Sequence, residues 1–269
     1  MSEPAIRDSI DAASLAIDER IAKRQIRFRQ RLIYTLRIAV LVIVLGGWEL
    51  AGRYKWIDPF FFSMPSLIYD QLIDWFANGT SQGPLLTQVW VTLEETTIGF
   101  LIGAVAGVFC GILLGRNKLL SDVFSLYIQI ANSIPRVVLG SIFVIALGLG
   151  MASKIALAVV MVFFVVFGNA FQGVREADRY MIANAQILGA SRRQVTMTVV
   201  VPSALSWILA SLHVSFGFAL VGAVVGEFLG SKQGIGLLIS TAQGAFNASG
   251  VFAAMIVLAV VALAADYLL

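Results

Sequence analysis

Side chains able to carry chemistry are few in this sequence and widely spaced. One histidine, His213, and one cysteine, Cys110, are too few for a zinc site, and a lone cysteine excludes an internal disulfide framework. No G-x-x-x-x-G-K-[ST] run occurs, and Gly230-Ser231-Lys232 lacks the upstream glycine and spacing of a phosphate-cradling loop. If nucleotide hydrolysis drives this protein, another chain performs it. Among the acids that fall within apolar sequence are the adjacent pair Glu94 and Glu95, and Glu227; a cation there is Arg136, which follows Asn132-Ser133-Ile134-Pro135. An arginine costs about 2.5–3.5 kcal/mol near the centre of a membrane helix, so Arg136 is expected to snorkel or to find an acid, with Glu227 the candidate. These groups suit charge pairing and solute contact. An intramembrane enzyme would need a carboxylate pair, a Ser/His pair or a ligand cluster facing one cavity. His213, alone on an apolar helix, reads as a hydrogen-bonded interior residue.

A second set of residues points to mechanics. The segment Arg175 to Thr198 is polar and helix-prone, and it lies between two long apolar stretches. Within it, Ala183, Ile187 and Ala190 recur at three- and four-residue spacing, with Asn184, Gln186, Arg192 and Arg193 elsewhere around the turn. Such a helix fits a groove on another protein, or packs on its own bundle or on the membrane surface.

The elements that position these residues are set by composition. With 59% hydrophobic and 13% charged residues among 269, and a mean hydropathy of +0.88, the chain has more apolar surface than a soluble core of its size can bury. It reads as an all-α polytopic membrane protein. Windows of about 20 apolar residues predict six spans, at 32–52, 91–115, 120–149, 154–174, 203–229 and 247–269. The pI of about 9.2 does not imply nucleic acid, because the basic residues are divided between the amino-terminal tail and short loops. Their distribution follows the positive-inside rule. Arg7, Arg20, Lys23, Arg24, Arg27, Arg29 and Arg31 precede the first span, Arg116 and Lys118 follow the second, and Arg175, Arg179, Arg192 and Arg193 follow the fourth. Only Arg53, Lys55, Lys154 and Lys232 fall to the other side. Both termini and the 175–200 loop are therefore expected on the cytoplasmic side.

About thirty polar residues precede the first apolar run, unlike a cleavable signal peptide. Residues 1–31 read as a cytoplasmic amphipathic segment with Ile10, Ile17, Ile21 and Phe28 near one face. Residues 32–64 carry the first span and an outer loop, and 65–269 form a five-helix core. Pro65 is expected to open a short amphipathic helix with Leu67, Ile68, Leu72, Ile73, Trp75 and Phe76. Gly99, Gly103, Gly107, Gly111 and Gly115 draw a stripe without side chains along one span, and Gly222, Gly226 and Gly230 repeat it, so close helix contacts are expected there. Pro135 removes a backbone donor, which predicts a kink or break facing protein or a solute path.

In these residues the chain resembles the membrane-spanning permease subunit of bacterial ABC importers. The cytoplasmic loop of those permeases carries E-A-A-x-x-x-G, then after nine residues I-x-L-P. Ala183, Asn184, Ala185, Gly189, Val199, Val201 and Pro202 fall on that pattern here, and Ile187, Leu188, Ala190 and Ser191 belong to the same segment. Gly189 and Pro202 match outright, whereas Ala183 and Asn184 replace the glutamate and first alanine. From Pro65 onward the likeness is to the nitrate, sulfonate and taurine branch, through Pro65-Ser66, Thr92-Leu93 with Gly99-Phe100, Ile134-Pro135, Gly148-Leu149-Gly150 with Ser153-Lys154, Leu188-Gly189-Ala190-Ser191, Glu227 and Gly234-Ile235-Gly236. That branch has arginine three residues after its threonine; here the position is Glu95, and Glu94 and Glu95 are placed near the outer mouth.

The resemblance implies a type I importer permease core in a bacterial inner membrane and no catalytic role. It implies two permease copies, two ABC ATPase subunits that bind ATP and magnesium, and a periplasmic or lipid-anchored solute-binding protein. A translocation path near Ser133, Pro135, Arg136 and Glu227 is expected, with Ala183–Val195 acting as a stiff lever from ATPase to spans. The rival reading is an ion-driven secondary transporter, which places acids or unwound helix ends at mid-membrane. Here the acids gather toward helix ends and loops.

Overall fold

The computed structural model describes residues 3–177 and 179–268, with side chains from Ile26 onward except at 118, 132, 179 and 268. The chain divides after Ser66 into two compact units. The first begins with helix α1, Glu3–Arg53, whose apolar portion Ile26–Arg53 is long enough to cross a membrane. The face expected of Ile10, Ile17 and Ile21 lies outside the described side chains. A short helix α2, Pro59–Phe62, is capped by Asp58, whose carboxylate accepts from the Phe60 amide. Glu49 fixes the start of the next helix by accepting from the Ser66 amide at 3.0 Å and the Ser66 hydroxyl at 2.9 Å, and it also holds Arg53 at 2.7 Å. That next helix, α3 (Pro65–Ala77), is the amphipathic one expected from Pro65. Ile68 and Trp75 are buried, while Ile73 and Phe76 are exposed.

In the second unit, α4 (Leu85–Gly115), α5 (Lys118–Ser133), α6 (Leu139–Leu147) and α7 (Met151–Arg175) follow one another. The loop helices α8 (Arg179–Ile187) and α9 (Arg192–Val195) come next. Then come α10 (Val201–Leu229), α11 (Ile235–Gly244) and α12 (Ala248–Leu268). Four of these helices or helix runs pass the length and hydropathy test for a span: α4, α7, the run Arg192–Leu229 and α12. The third expected span is broken, as Pro135 predicts. The segments Leu119–Ala131 and Arg136–Leu147 meet at 72°, and Ile134 and Pro135 take extended backbone between them. Helix α11 falls between the last two expected spans, 203–229 and 247–269, and at ten residues it is too short to cross a membrane.

Helix α7 is the centre of this unit, with α4 on one side and α10 on the other. Lipid tails are as apolar as leucine, so helices in a membrane gain by tight van der Waals contact, which small residues permit. The glycine stripes supply that contact on both sides. A Cβ built at Gly107 would stand 2.9 Å from the Phe163 carbonyl oxygen, and one at Gly111 would stand 2.9 Å from that of Phe167. On the other side, a Cβ at Gly222 would stand 2.7 Å from the Ala158 Cα. None of these three neighbour atoms can move without shifting backbone. Ala158, Val162 and Val166 of α7 are fully buried in the resulting seam.

Before α10 the helix widens by one residue over Thr196–Val200, so that the Val201 amide donates to the Thr196 carbonyl. Pro202 has no amide hydrogen, and its ring crowds the carbonyl four residues earlier; the wider turn makes room for it. The run Arg192–Leu229 thereby stays helical through the proline.

Candidate functional site

Two constellations stand out, one at each end of the α4–α7–α10 group. The first is the loop between α7 and α10. Helix α8 ends at Ile187 because Gly189 adopts φ +85°, which L side chains disfavour and glycine does not. The Gly189 amide donates to the Gln186 carbonyl and the Ala190 amide to the Ala185 carbonyl, both at 3.0 Å, which closes the helix with a Schellman motif. Ser191 then starts α9 with a capping box: its hydroxyl accepts from the Gln194 amide, and the Gln194 side chain accepts from the Ser191 amide. The loop is thus two hydrogen-bonded helices around one fixed turn.

Its inner face rests on its own bundle. Ile182, Ala185 and Ala190 are half-buried against Ala170, Val174, Val195, Val200 and Ala204. The outer face comprises Tyr180, Ala183, Asn184, Ile187 and Leu188, with Ile187 82% and Leu188 87% exposed. This corrects the face expected from spacing alone. Ala183 and Ile187 do share a side, but Ala190 falls on the opposite one, because the chain reverses at Gly189. Ser191 and Pro202 are exposed beyond the turn.

The second constellation lies at the far ends of these helices. Gln88, Thr92, Lys154 and Glu227 are all inaccessible, and Glu95 is 1% exposed. Thr92 donates its hydroxyl to Glu227 Oε1 at 2.7 Å and accepts from the Ile235 amide at 2.9 Å. Glu227 Oε2 accepts from the Gly236 amide at 2.6 Å, and Gln88 Oε1 accepts from the Gly234 amide at 2.8 Å. Lys154 donates to the carbonyls of Leu149 and Gly150, next to the two carboxylates. The Glu227 carboxylate therefore satisfies an amide in the first turn of α11 and faces the positive end of that helix's dipole. A Cβ at Gly234 or Gly236 would overlap Glu227 itself, so only glycine lets the loop wrap this closely. These hydrogen bonds tie α4 to α10 and both to the start of α11, with Lys154 of α7 enclosed beside them.

The expected pairing of Arg136 with Glu227 is not what forms. Glu227 is held by Thr92 and Gly236, while the Arg136 guanidinium sits 4.9 Å over the Phe164 ring. Ser133 and Pro135 are exposed at the break and Arg136 is half-buried; Glu227 faces the interior. Of the neighbouring acids, Glu94 is exposed and Glu95 is enclosed. His213 is no interior residue either. It is about half exposed and its Nε2 lies 3.4 Å from Asp266 Oδ1 of α12, a partner 53 residues away that no local pattern announces. Gln88 was missed altogether, although a signal exists: Gln88, Thr92, Glu95 and Gly99 recur at three- and four-residue steps, which continues the glycine stripe as a polar one.

Among known proteins, the chain is 28% identical over 250 residues to the putative aliphatic sulfonates transport permease protein SsuC of Bacillus subtilis, covering 93% of this chain and 89% of that one. It is 27% identical over 252 residues to the taurine transport system permease protein TauC of Escherichia coli, covering 93% and 92%. It is 28% identical over 232 residues to the formylaminopyrimidine transport permease protein ThiX of Halalkalibacterium halodurans, covering 86% and 89%. In fold it matches a chain of the MetNI methionine ABC transporter solved in an inward-facing conformation, with a TM-score of 0.58 at 21% identity, over 68% of this chain and 94% of that one. Residues 103–269, which hold the broken span, α7, the loop helices and α10 to α12, match the model of one family, and the chain belongs to it: the inner membrane component of binding-protein-dependent transport systems.

Proposed function

We propose that this permease imports a small organic or inorganic solute, of the sulfonate, taurine or nitrate kind or another small organic compound, and that the loop helix α8 takes the drive from a separate ABC ATPase. The single observation behind the coupling role is the outer face of α8, where Ile187 and Leu188 stand exposed beside Ala183 and Asn184 on a rigid turn. Solvated apolar side chains of this size on a loop outside the spans are covered at little entropic expense by a groove on a partner. ATP and magnesium bind the ATPase; this chain holds neither. Two permease copies, two ATPases and a periplasmic or lipid-anchored solute-binding protein complete the assembly. The 175–200 loop and both termini lie on the cytoplasmic side, in keeping with the arginines at the loop end of the bundle. The break at Ser133, Pro135 and Arg136, where backbone leaves the helix at membrane depth, borders the solute path.

Copurification tests the coupling role. The full chain is expressed with its ATPase and extracted in mild detergent. Wild type retains the ATPase, and Ile187→Asp or Leu188→Asp inserts normally but loses at least ten-fold of the bound ATPase. Retention of the ATPase by both variants refutes the assignment, and uptake driven by an ion gradient without ATPase restores the secondary-transporter reading.

A further inference from the structure

One cavity lies at the loop end of the bundle, on the inner side of the loop helices that also carries Ile182, and exposed Ile187 and Leu188 do not line it. It has a volume of about 480 Å³ and is lined by Arg116 after α4, Ser121 and Asp122 of α5, Arg175 at the end of α7, Gln186 of α8 and Arg192 of α9, among others. Among the described residues, three guanidinium groups from three separate elements line it, against one carboxylate. Among the described residues, none of these arginines has an acid within salt-bridge distance, and Arg175 makes only a cation–π contact with Phe171 at 5.5 Å. The cavity also holds an unanswered polar atom: Ser121 is 3% exposed, and among the described residues its hydroxyl has no hydrogen-bond partner. Buried hydroxyls are nearly always partnered, so an unpartnered one at the wall of a cationic cavity points to a missing acceptor.

We propose that this cavity binds a phosphate-bearing anion, with Arg116, Arg175 and Arg192 supplying charge and forked donors and the Ser121 hydroxyl a further hydrogen bond. Phosphate oxygens match the guanidinium fork, and Asp122 faces the same space as an acceptor for a headgroup hydroxyl or ammonium. Arg116 and Arg175 sit just where α4 and α7 leave their apolar stretches, which is headgroup depth for a lipid phosphate. The same chemistry would accept free phosphate. Because the lining comes from α5 and both loop helices, an occupant would tie the broken span to the loop. This site is independent of how the ATPase docks.

The test is native mass spectrometry on the delipidated full chain, titrated with phosphatidylglycerol, with phosphatidylcholine and with inorganic phosphate. Preferential binding of phosphatidylglycerol, weakened about fivefold by each of Arg116→Gln and Arg192→Gln and less by Ser121→Ala, supports the site with lipid as its source. Arginine-dependent binding of inorganic phosphate supports it with a free anion as the source. Arg116→Lys, which keeps the charge and loses the fork, should bind more weakly than wild type and more tightly than Arg116→Gln, which guards against a variant that misfolds, and Arg53→Gln, outside the cavity, should bind as wild type does. Binding of neither anion, or binding that the arginine variants leave unchanged, overturns the proposal.

Discussion

Gly189 is needed for its backbone angle and not for space, since a Cβ there would meet nothing within 4 Å while φ stands at +85°. A β-branched residue in left-handed backbone costs about 1–2 kcal/mol, whereas asparagine tolerates it. Gly189→Val should therefore fray the turn and reduce uptake and solute-stimulated ATPase turnover in proteoliposomes, while Gly189→Asn restores both. Equal activity in the two variants would place the importance of Gly189 elsewhere. Glu227 is needed for its two acceptor oxygens. Removing them in Glu227→Ala leaves the Gly236 amide buried without a partner, at a cost of about 1–3 kcal/mol. Glu227→Gln keeps one acceptor, so thermal unfolding in detergent should rank wild type above Gln and Gln above Ala. Had Glu227 paired with Arg136, as charge alone suggested, Arg136→Gln would destabilise as much as Glu227→Ala; the structure expects Arg136→Gln to be the milder of the two.

At the scale of elements, the glycine stripes make a directional prediction. Gly107 lies against α7 backbone, and a Cβ at Gly168, within α7, would meet nothing within 4 Å. Gly107→Leu must push α4 from α7 and should cost about 1–3 kcal/mol or block assembly, whereas Gly168→Ala should be neutral or slightly stabilising by helix propensity. Both are read from melting temperature and membrane yield. The same stripes mark how much of the fold the sequence discloses. Spans, stripes and the proline break follow from local periodicity and from a missing amide, and all of these are properties of a few consecutive residues. Helix α11 escaped because its ten residues are too few to fill a window of about 20, and they fall between the last two expected spans. The lock around Glu227 escaped for a different reason: Gln88 and Gly234 are 146 positions apart, and only packing makes them neighbours. The face of α8 was half legible. Spacing set Ala183 and Ile187 together, but the reversal at Gly189 depends on a backbone angle that periodicity ignores.

At the scale of the molecule, the charge pattern and the placement of the two constellations combine into one statement about direction. The C-terminal ends of α4 and α7 and the N-terminal end of the Arg192–Leu229 run share one end of the bundle with the loop helices, while Gln88, Thr92, Lys154 and Glu227 occupy the opposite ends of α4, α7 and α10. Arginine dominates the first end, and positive charge is retained on the cytoplasmic side of a membrane. The orientation can be read directly because Cys110 is the single cysteine. In a Cys110→Ala background, Ser191→Cys should react with a membrane-impermeant maleimide only in inverted vesicles, and Lys232→Cys only in intact spheroplasts. Both positions lie outside the buried core, so labelling reports sidedness and not packing. The reverse pattern would put the α8 face in the compartment without ATP and would dismantle the proposed coupling, while leaving the family assignment and the glycine-packed core untouched.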